Sequence, residues 1–148
     1  MGSRSQVSDT AVMQSVRTNL VKVFLVEDSP PIRLRLATML AKIDGVCVVG
    51  EADNAPSAIQ GILRTRPDSV VLDIKLIGGS GIEVLRRVRP VEPTINFIVL
   101  TNNADEQYRK VCMAAGANHF LDKASEFEKV KALVSGFEQH RQSKNGRE

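Results

Sequence analysis

The residues able to do chemistry in this chain stand at the ends of apolar runs. Glu27-Asp28 follow the run Leu20–Val26, Asp73 follows Val70-Val71-Leu72, Thr101 follows Phe97–Leu100, and Lys123 comes two places after His119-Phe120-Leu121. Short apolar runs rich in β-branched residues read as strands buried on both faces, the kind parallel sheets contain. A carboxylate ending such a strand cannot be buried unpaired without a large desolvation penalty, so it belongs where the strand opens into a loop. Open α/β sheets build their sites along that carboxyl edge. Three carboxylates gathered there raise one another's pKa until a cation neutralises them. A hard divalent ion meets the need: magnesium takes few carboxylates, keeps several waters and adds phosphate oxygens, whereas no EF-hand-like oxygen spacing invites calcium. The Thr101 hydroxyl and the Lys123 charge are the kinds of group that steady the oxygens of a phosphoryl group on Asp73. An aspartyl-phosphate is an established type of covalent intermediate. Read singly, each residue has a plainer role: Asp73 a turn cap, Glu27 and Asp28 a capping pair, Thr101 a strand end, Lys123 a solvated charge. Their convergence on one edge is what argues for a site.

The intervening segments must position these residues. After the first strand, Ser29-Pro30-Pro31 supply an N-cap and a first-turn proline, and Ile32, Leu36, Met39, Leu40 and Ile43 recur at helical spacing up to Gly45. Val46–Gly50 is a second strand. Asn54 and Pro56 open a helix with Ala58, Ile59, Ile62 and Leu63 inward, closed by Pro67. Ile82, Val84, Leu85 and Val88 make a third helix, broken by Pro90 and Pro93. Ala104, Tyr108, Val111, Cys112 and Ala115 make a fourth, ended by a left-handed turn at Gly116. Ser125 with Glu128 reads as a capping box before a last helix whose stripe is Phe127, Val130, Leu133, Val134 and Phe137. Five strands alternating with helices predict an α/β, flavodoxin-like (βα)5 sandwich with a parallel sheet in the order 2-1-3-4-5. That order makes the first and third strands neighbours at the switch point, beside which Thr101 and Lys123 also emerge.

The 148 residues suit one domain, with 43% hydrophobic and 25% charged residues as in ordinary globular chains. The expected organisation is a polar extension over 1–19, the domain over 20–140 and a polar tail over 141–148. The net charge of +3 is spread over many segments and is weak support for nucleic-acid binding. Cys47 and Cys112 lie in apolar runs without metal-ligand spacing, which favours reduced thiols and a cytoplasmic setting. No run reaches the roughly 18 apolar residues of a membrane span, so no membrane insertion is expected. Gly78, Gly79 and Gly81 lack the Gly-Lys-Ser/Thr of a phosphate loop and read as a flexible turn.

Glu27-Asp28, Asp73, Thr101 and Lys123, with Gly81 and Phe120 at matching offsets, resemble the receiver domain of two-component response regulators from about Lys22 to Phe137. The resemblance implies that Asp73 is the phosphoacceptor and that Asp28 and Asp73 bind magnesium directly. It implies further that the Lys75 carbonyl is a ligand, that Glu27 acts through water, and that Thr101 and Lys123 contact the phosphoryl group. Phe120 would be an aromatic rotor whose position follows Thr101. Ala124-Ser125 after Lys123 is similar to the branch of transcriptional regulators carrying a helix-turn-helix domain. Departures from the pattern are Asn102, bulkier than the small residue usual after the threonine, and Ile77 with extra glycine in place of a proline after the phosphoacceptor.

The function this implies is a stand-alone receiver that takes phosphate from a histidine kinase or phosphotransfer protein. It would catalyse only its own phosphorylation and dephosphorylation, and would signal through contacts with a downstream protein or a second copy of itself, without binding DNA. Two alternatives stand beside it: a receiver-like binding module that is never phosphorylated, and a receiver fragment of a DNA-binding regulator. Aspartate-dependent hydrolases are disfavoured, because they resemble Asp-x-Asp and Lys75 holds the second position here.

Overall fold

The structure, a computed structural model, describes residues 20–136. The extension 1–19, the tail 141–148 and Phe137 of the last stripe lie outside the described residues. Five strands, β1 (Val21–Val26), β2 (Val46–Ala52), β3 (Ser69–Leu72), β4 (Asn96–Thr101) and β5 (His119–Asp122), form one parallel sheet in the order β2-β1-β3-β4-β5. This is the expected fold class and order. Between the strands run α1 (Pro30–Ala41), α2 (Ala55–Thr65), α3 (Gly81–Val88) and α4 (Glu106–Ala114). A single turn, α5 (Lys123–Glu126), follows β5, and helix α6 occupies 129–136.

Alternation along the strands divides the core in two. Phe24, Val26, Val70, Leu72, Phe97, Val99 and Phe120 pack against α2, α3 and Cys112 of α4. Val21, Val23, Leu25, Val71, Ile98, Leu100 and Leu121 pack against Leu36 and Leu40 of α1 and against Phe127, Val130 and Val134. The register of β1 on β2 slips between Val23 and Phe24. There the Phe24 ring lies against Gly50 and Gly61, where an added Cβ would stand 2.5 Å from a ring carbon.

Local chemistry agrees with the sequence at most ends. Asn54 caps α2 by accepting from the Ser57 N–H at 2.9 Å, and Gly45 and Gly116 carry positive φ angles of 85° and 114°. Three expectations are corrected. Ser29 holds the N-cap position of α1, but its side chain makes no cap bond; its N–H donates to Glu27 Oε2 at 3.0 Å. Leu63 of α2 is 38% exposed rather than inward, its face of the core being served by Ala58 and Ile62. The Ser125–Glu128 capping box is absent. The turn starts three residues earlier, where Asp122 Oδ1 accepts from the Ala124 N–H at 2.9 Å and Glu126 Oε1 accepts from the Asp122 N–H at 3.0 Å. This reciprocal pair satisfies the backbone donors as the chain leaves β5, so Ser125 has no helix start left to cap.

The loop after Asp73 carries a short pairing of its own. Lys75–Leu76 and Gly79–Ser80 form a two-residue antiparallel ladder, and the Ile77 N–H donates to the Asp53 carbonyl at 3.2 Å. Gly81 closes the loop against the end of β3: its N–H donates to the Ile74 carbonyl at 2.7 Å, and a Cβ there would run into the Asp73 carbonyl.

Candidate functional site

The carboxyl edge of the sheet brings together the residues that end β1, β3 and β5. The Glu27 N–H donates to the Ala52 carbonyl at 3.0 Å and the Asp73 N–H to the Val26 carbonyl at 3.0 Å, so the ends of β1, β2 and β3 are tied to one another. From this platform one carboxylate oxygen each of Glu27, Asp28 and Asp73 reaches within 4.8 Å of the others. Glu27 and Asp73 are buried, and Asp28 is half-buried. The three line a cavity of about 570 Å³ together with Ser29, Ile32, Arg35, Lys75, Asn102, Asn103, Lys123 and Ala124.

Lys123 is buried, not the solvated charge its bare type suggests. Its ammonium donates to Glu27 Oε1 and to Asp73 Oδ2, both at 2.7 Å. The other oxygens are also engaged: Asp73 Oδ1 accepts from the Ile74 N–H at 2.7 Å and Glu27 Oε2 from the Ser29 N–H at 3.0 Å. Burial raises the Glu27 pKa, and the Lys123 hydrogen bond and charge only partly offset it. Burial also pulls the Lys123 pKa down, but the bonds and charges of Asp73 and Glu27 outweigh it and leave the ammonium raised. Lys123 is thus the resident counter-ion of an acidic cluster that one charge cannot neutralise.

The donor set suits magnesium. It is all hard oxygen, it comes from few carboxylates, and it opens on a cavity with room for waters. The Glu27 and Asp73 oxygens each retain a lone pair beyond the hydrogen bond they accept, so Glu27, Asp28 and Asp73 are the side chains that would hold the ion, with Lys75 lining the same cavity.

Thr101 and Phe120 stand on the same edge but back from the cavity. Thr101 is fully buried, its Oγ1 accepts from the Asn103 N–H at 3.1 Å, and Asn102 and Asn103 present the cavity wall in its place. In the β4–β5 register Val99 faces Phe120 and Thr101 faces Asp122. Thr101 and Phe120 therefore share a sheet face one step apart on neighbouring strands, with Phe120 against the core and beside Arg109, Met113 and Leu133. Bulky Asn102 is exposed at the rim, and Ile77 is 58% exposed on the hairpin tip.

Two arginines on α1 also belong to the site, though neither ends an apolar run. Arg33 donates to the Glu27 carbonyl at 2.7 Å and pairs with Glu51 at 3.0 Å, which fixes the end of β1. Arg35 stands at the cavity rim with its guanidinium carbon 3.9 Å from the Phe127 ring centroid. The available signal was helical spacing: Arg35 follows Ile32 by three residues, and both line the cavity.

Residues 23–135 match the protein family described as the response regulator receiver domain. Among curated proteins the chain is 31% identical over 115 residues to the response regulator GacA of Pseudomonas aeruginosa, covering 78% of this chain and 54% of that protein. It is 34% identical over 104 residues to the DNA-binding transcriptional activator DevR/DosR of Mycobacterium tuberculosis, covering 70% and 48%. The chain thus spans about half the length of these relatives. A solved two-component response regulator of the LuxR family from Aurantimonas superposes with a TM-score of 0.71 at 27% identity, covering 79% of this chain and 86% of that one.

Proposed function

This chain belongs to the response regulator receiver domain family, and from that membership we propose that Asp73 is a phosphoacceptor. An Asp73 carboxylate oxygen attacks phosphorus in a phosphohistidine of a histidine kinase or phosphotransfer protein. The P–O bond forms as the P–N bond breaks, and the imidazole leaves with a proton. The observation that carries this is the Asp73 carboxylate at the end of β3, opening on a cavity with Glu27 and Asp28 beside it and Lys123 at 2.7 Å.

Bound by Asp28, Asp73 and the Lys75 carbonyl, with Glu27 acting through water, magnesium would supply charge neutralisation for the incoming phosphoryl oxygens. The remaining roles fall to the chain. Lys123 exchanges one of its carboxylate partners for a phosphoryl oxygen and keeps the other. The Thr101 hydroxyl leaves the Asn103 N–H to donate to a phosphoryl oxygen, and the space it vacates receives the Phe120 ring, a shift between two packings. That reshapes the surface of α4, β5 and α6, which engages another protein or a second copy of this chain in the cytoplasm. The chain catalyses only its own phosphorylation and dephosphorylation.

A second reading is favoured by one observation. The matched region is the receiver part of relatives about twice as long, one of them named as a DNA-binding activator. In that reading this receiver controls an attached DNA-reading domain rather than acting alone.

Incubation with acetyl phosphate and magnesium, followed by intact mass and peptide mapping, tests the central claim. A single phosphoryl increment on the Asp73 peptide, lost in Asp73→Asn and in excess chelator, is the expected result. An increment that persists in Asp73→Asn refutes the site, and equal labelling in chelator refutes the metal. A pull-down comparing wild type with Phe120→Ala, with and without a phosphoryl mimic, tests the output face. Identical recovery in all conditions refutes the rotor, and recovery of DNA alone refutes the protein-partner reading.

A further inference from the structure

Three cations face the Asp73 cavity, and they are not equivalent. Lys123 is committed to Glu27 and Asp73. Lys75 is exposed on the hairpin. Arg35 differs from both. Its guanidinium is laid over the buried Phe127 ring, 3.9 Å from the centroid, and among the described residues it has no carboxylate or carbonyl partner. Stacking on a ring uses the face of a guanidinium and leaves its in-plane N–H donors free, in a fork that matches a phosphoryl group. The ring also gives that fork a seat, which lowers the rotamer entropy lost when it binds.

We propose that Arg35 is a donor-binding residue of this receiver, its guanidinium donating hydrogen bonds to the anionic oxygens of the incoming phosphoryl group before transfer. The inference rests on the reading of Asp73 as phosphoacceptor and adds the residue that receives the donor. Electrostatics calls for such a group. Glu27, Asp28 and Asp73 oppose a phosphoryl dianion, and the one inner cation is already shared between two of them. A cation at the mouth, held by an aromatic ring instead of a carboxylate, has no protein partner to give up when the donor arrives. The class of ligand is the phosphoryl dianion itself, whether it comes on a phosphoramidate, as in phosphohistidine, or on an acyl phosphate.

The test measures initial labelling rates against phosphoramidate and against acetyl phosphate, with magnesium, in wild type, Arg35→Ala and Arg35→Lys. Binding that is equal in ground and transition states appears in the half-saturating concentration and not in the plateau rate. Arg35→Ala is expected to raise half-saturation about tenfold for both donors, equivalent to about 1.4 kcal/mol. Arg35→Lys should restore part of the loss, since it keeps the charge without the fork. Unchanged half-saturation in Arg35→Ala, or a loss confined to the plateau, overturns the proposal. A loss with acetyl phosphate alone also overturns it, because the contact would then be to the leaving group.

A second readout does not depend on turnover. In Asp73→Asn protein with magnesium, the Arg35 Nε–H resonance is followed while inorganic phosphate is added. A saturable shift supports the assignment, and a static signal overturns it. If wild type is labelled by neither donor, the phosphoacceptor reading fails while this titration still decides Arg35.

Discussion

Replacing Lys123 by methionine keeps an unbranched apolar stem and removes the ammonium, so it isolates the charge that holds the acidic cluster. Lys123 makes two charge-assisted hydrogen bonds of 2.7 Å, to Glu27 and to Asp73, and all three residues are buried. Removing one partner of a fully buried ion pair costs about 3–5 kcal/mol. The cavity lets water reach the orphaned carboxylates and lowers this to about 2–3 kcal/mol. For a domain whose total stability is about 5–15 kcal/mol, that is a large fraction. Urea unfolding of wild type and Lys123→Met in chelator at neutral pH measures it. Adding Asp73→Asn to Lys123→Met removes one orphaned charge and should return about 1–2 kcal/mol, a coupling that the double-mutant cycle isolates. Magnesium should stabilise Lys123→Met more than wild type, because an ion at the three carboxylates replaces the lost counter-charge. A Lys123→Met protein within about 0.5 kcal/mol of wild type in chelator, the range of an ordinary surface substitution, would refute the view of Lys123 as resident counter-ion.

Other outcomes follow from the same geometry. The raised Glu27 pKa means that the folded state holds the proton more tightly than the unfolded chain, so this group's contribution falls as pH rises above the unfolded value of 4.5. Removing the titration with Glu27→Gln should flatten that part of the stability–pH curve, and an unchanged slope counts against it. The raised Lys123 pKa acts at the other end: its stabilisation is complete below 10.5 and is lost as pH rises beyond it, a loss that Lys123→Met should not show in alkaline melts. Gly81→Ala drives a Cβ into the Asp73 carbonyl and should cost about 2 kcal/mol or more and slow labelling of Asp73, whereas Gly136→Ala, with no atom within 4 Å, should be neutral or slightly stabilising by thermal melt. Cys112 is fully buried and its thiol is pushed up to about 11, so a thiol reagent should modify half-buried Cys47 first and Cys112 only on unfolding.

The strands and their order were legible because each is a short run of aliphatic residues ending in a polar group. Burial on both faces leaves that pattern in any sequence that forms a parallel sheet. The edge residues were legible for the same reason, since Glu27, Asp28, Asp73 and Thr101 mark where the apolar runs stop. What escaped was whatever depends on pairing across the chain. Nothing local distinguishes Lys123 from a surface lysine, because its burial is set by Glu27, 96 residues away, and by Asp73, 50 residues away. The Phe24 ring on Gly50 and Gly61 is likewise a contact between three elements, invisible in any one of them.

The turn that follows β5 shows a different limit. Two carboxylates, Asp122 and Glu126, competed with Ser125 and Glu128 for the same role, and either spacing satisfies local capping chemistry. The choice is made by β5: once Asp122 pairs with Thr101 at the end of the sheet, its side chain is already placed over the next turn. That placement has a consequence for the site. Starting the turn at Asp122 makes Lys123 the first residue of α5 and directs it into the acidic cluster, whereas a helix begun at Ser125 would leave Lys123 in a loop. The cap that the sequence did not disclose is therefore also the feature that sets the position of the counter-ion.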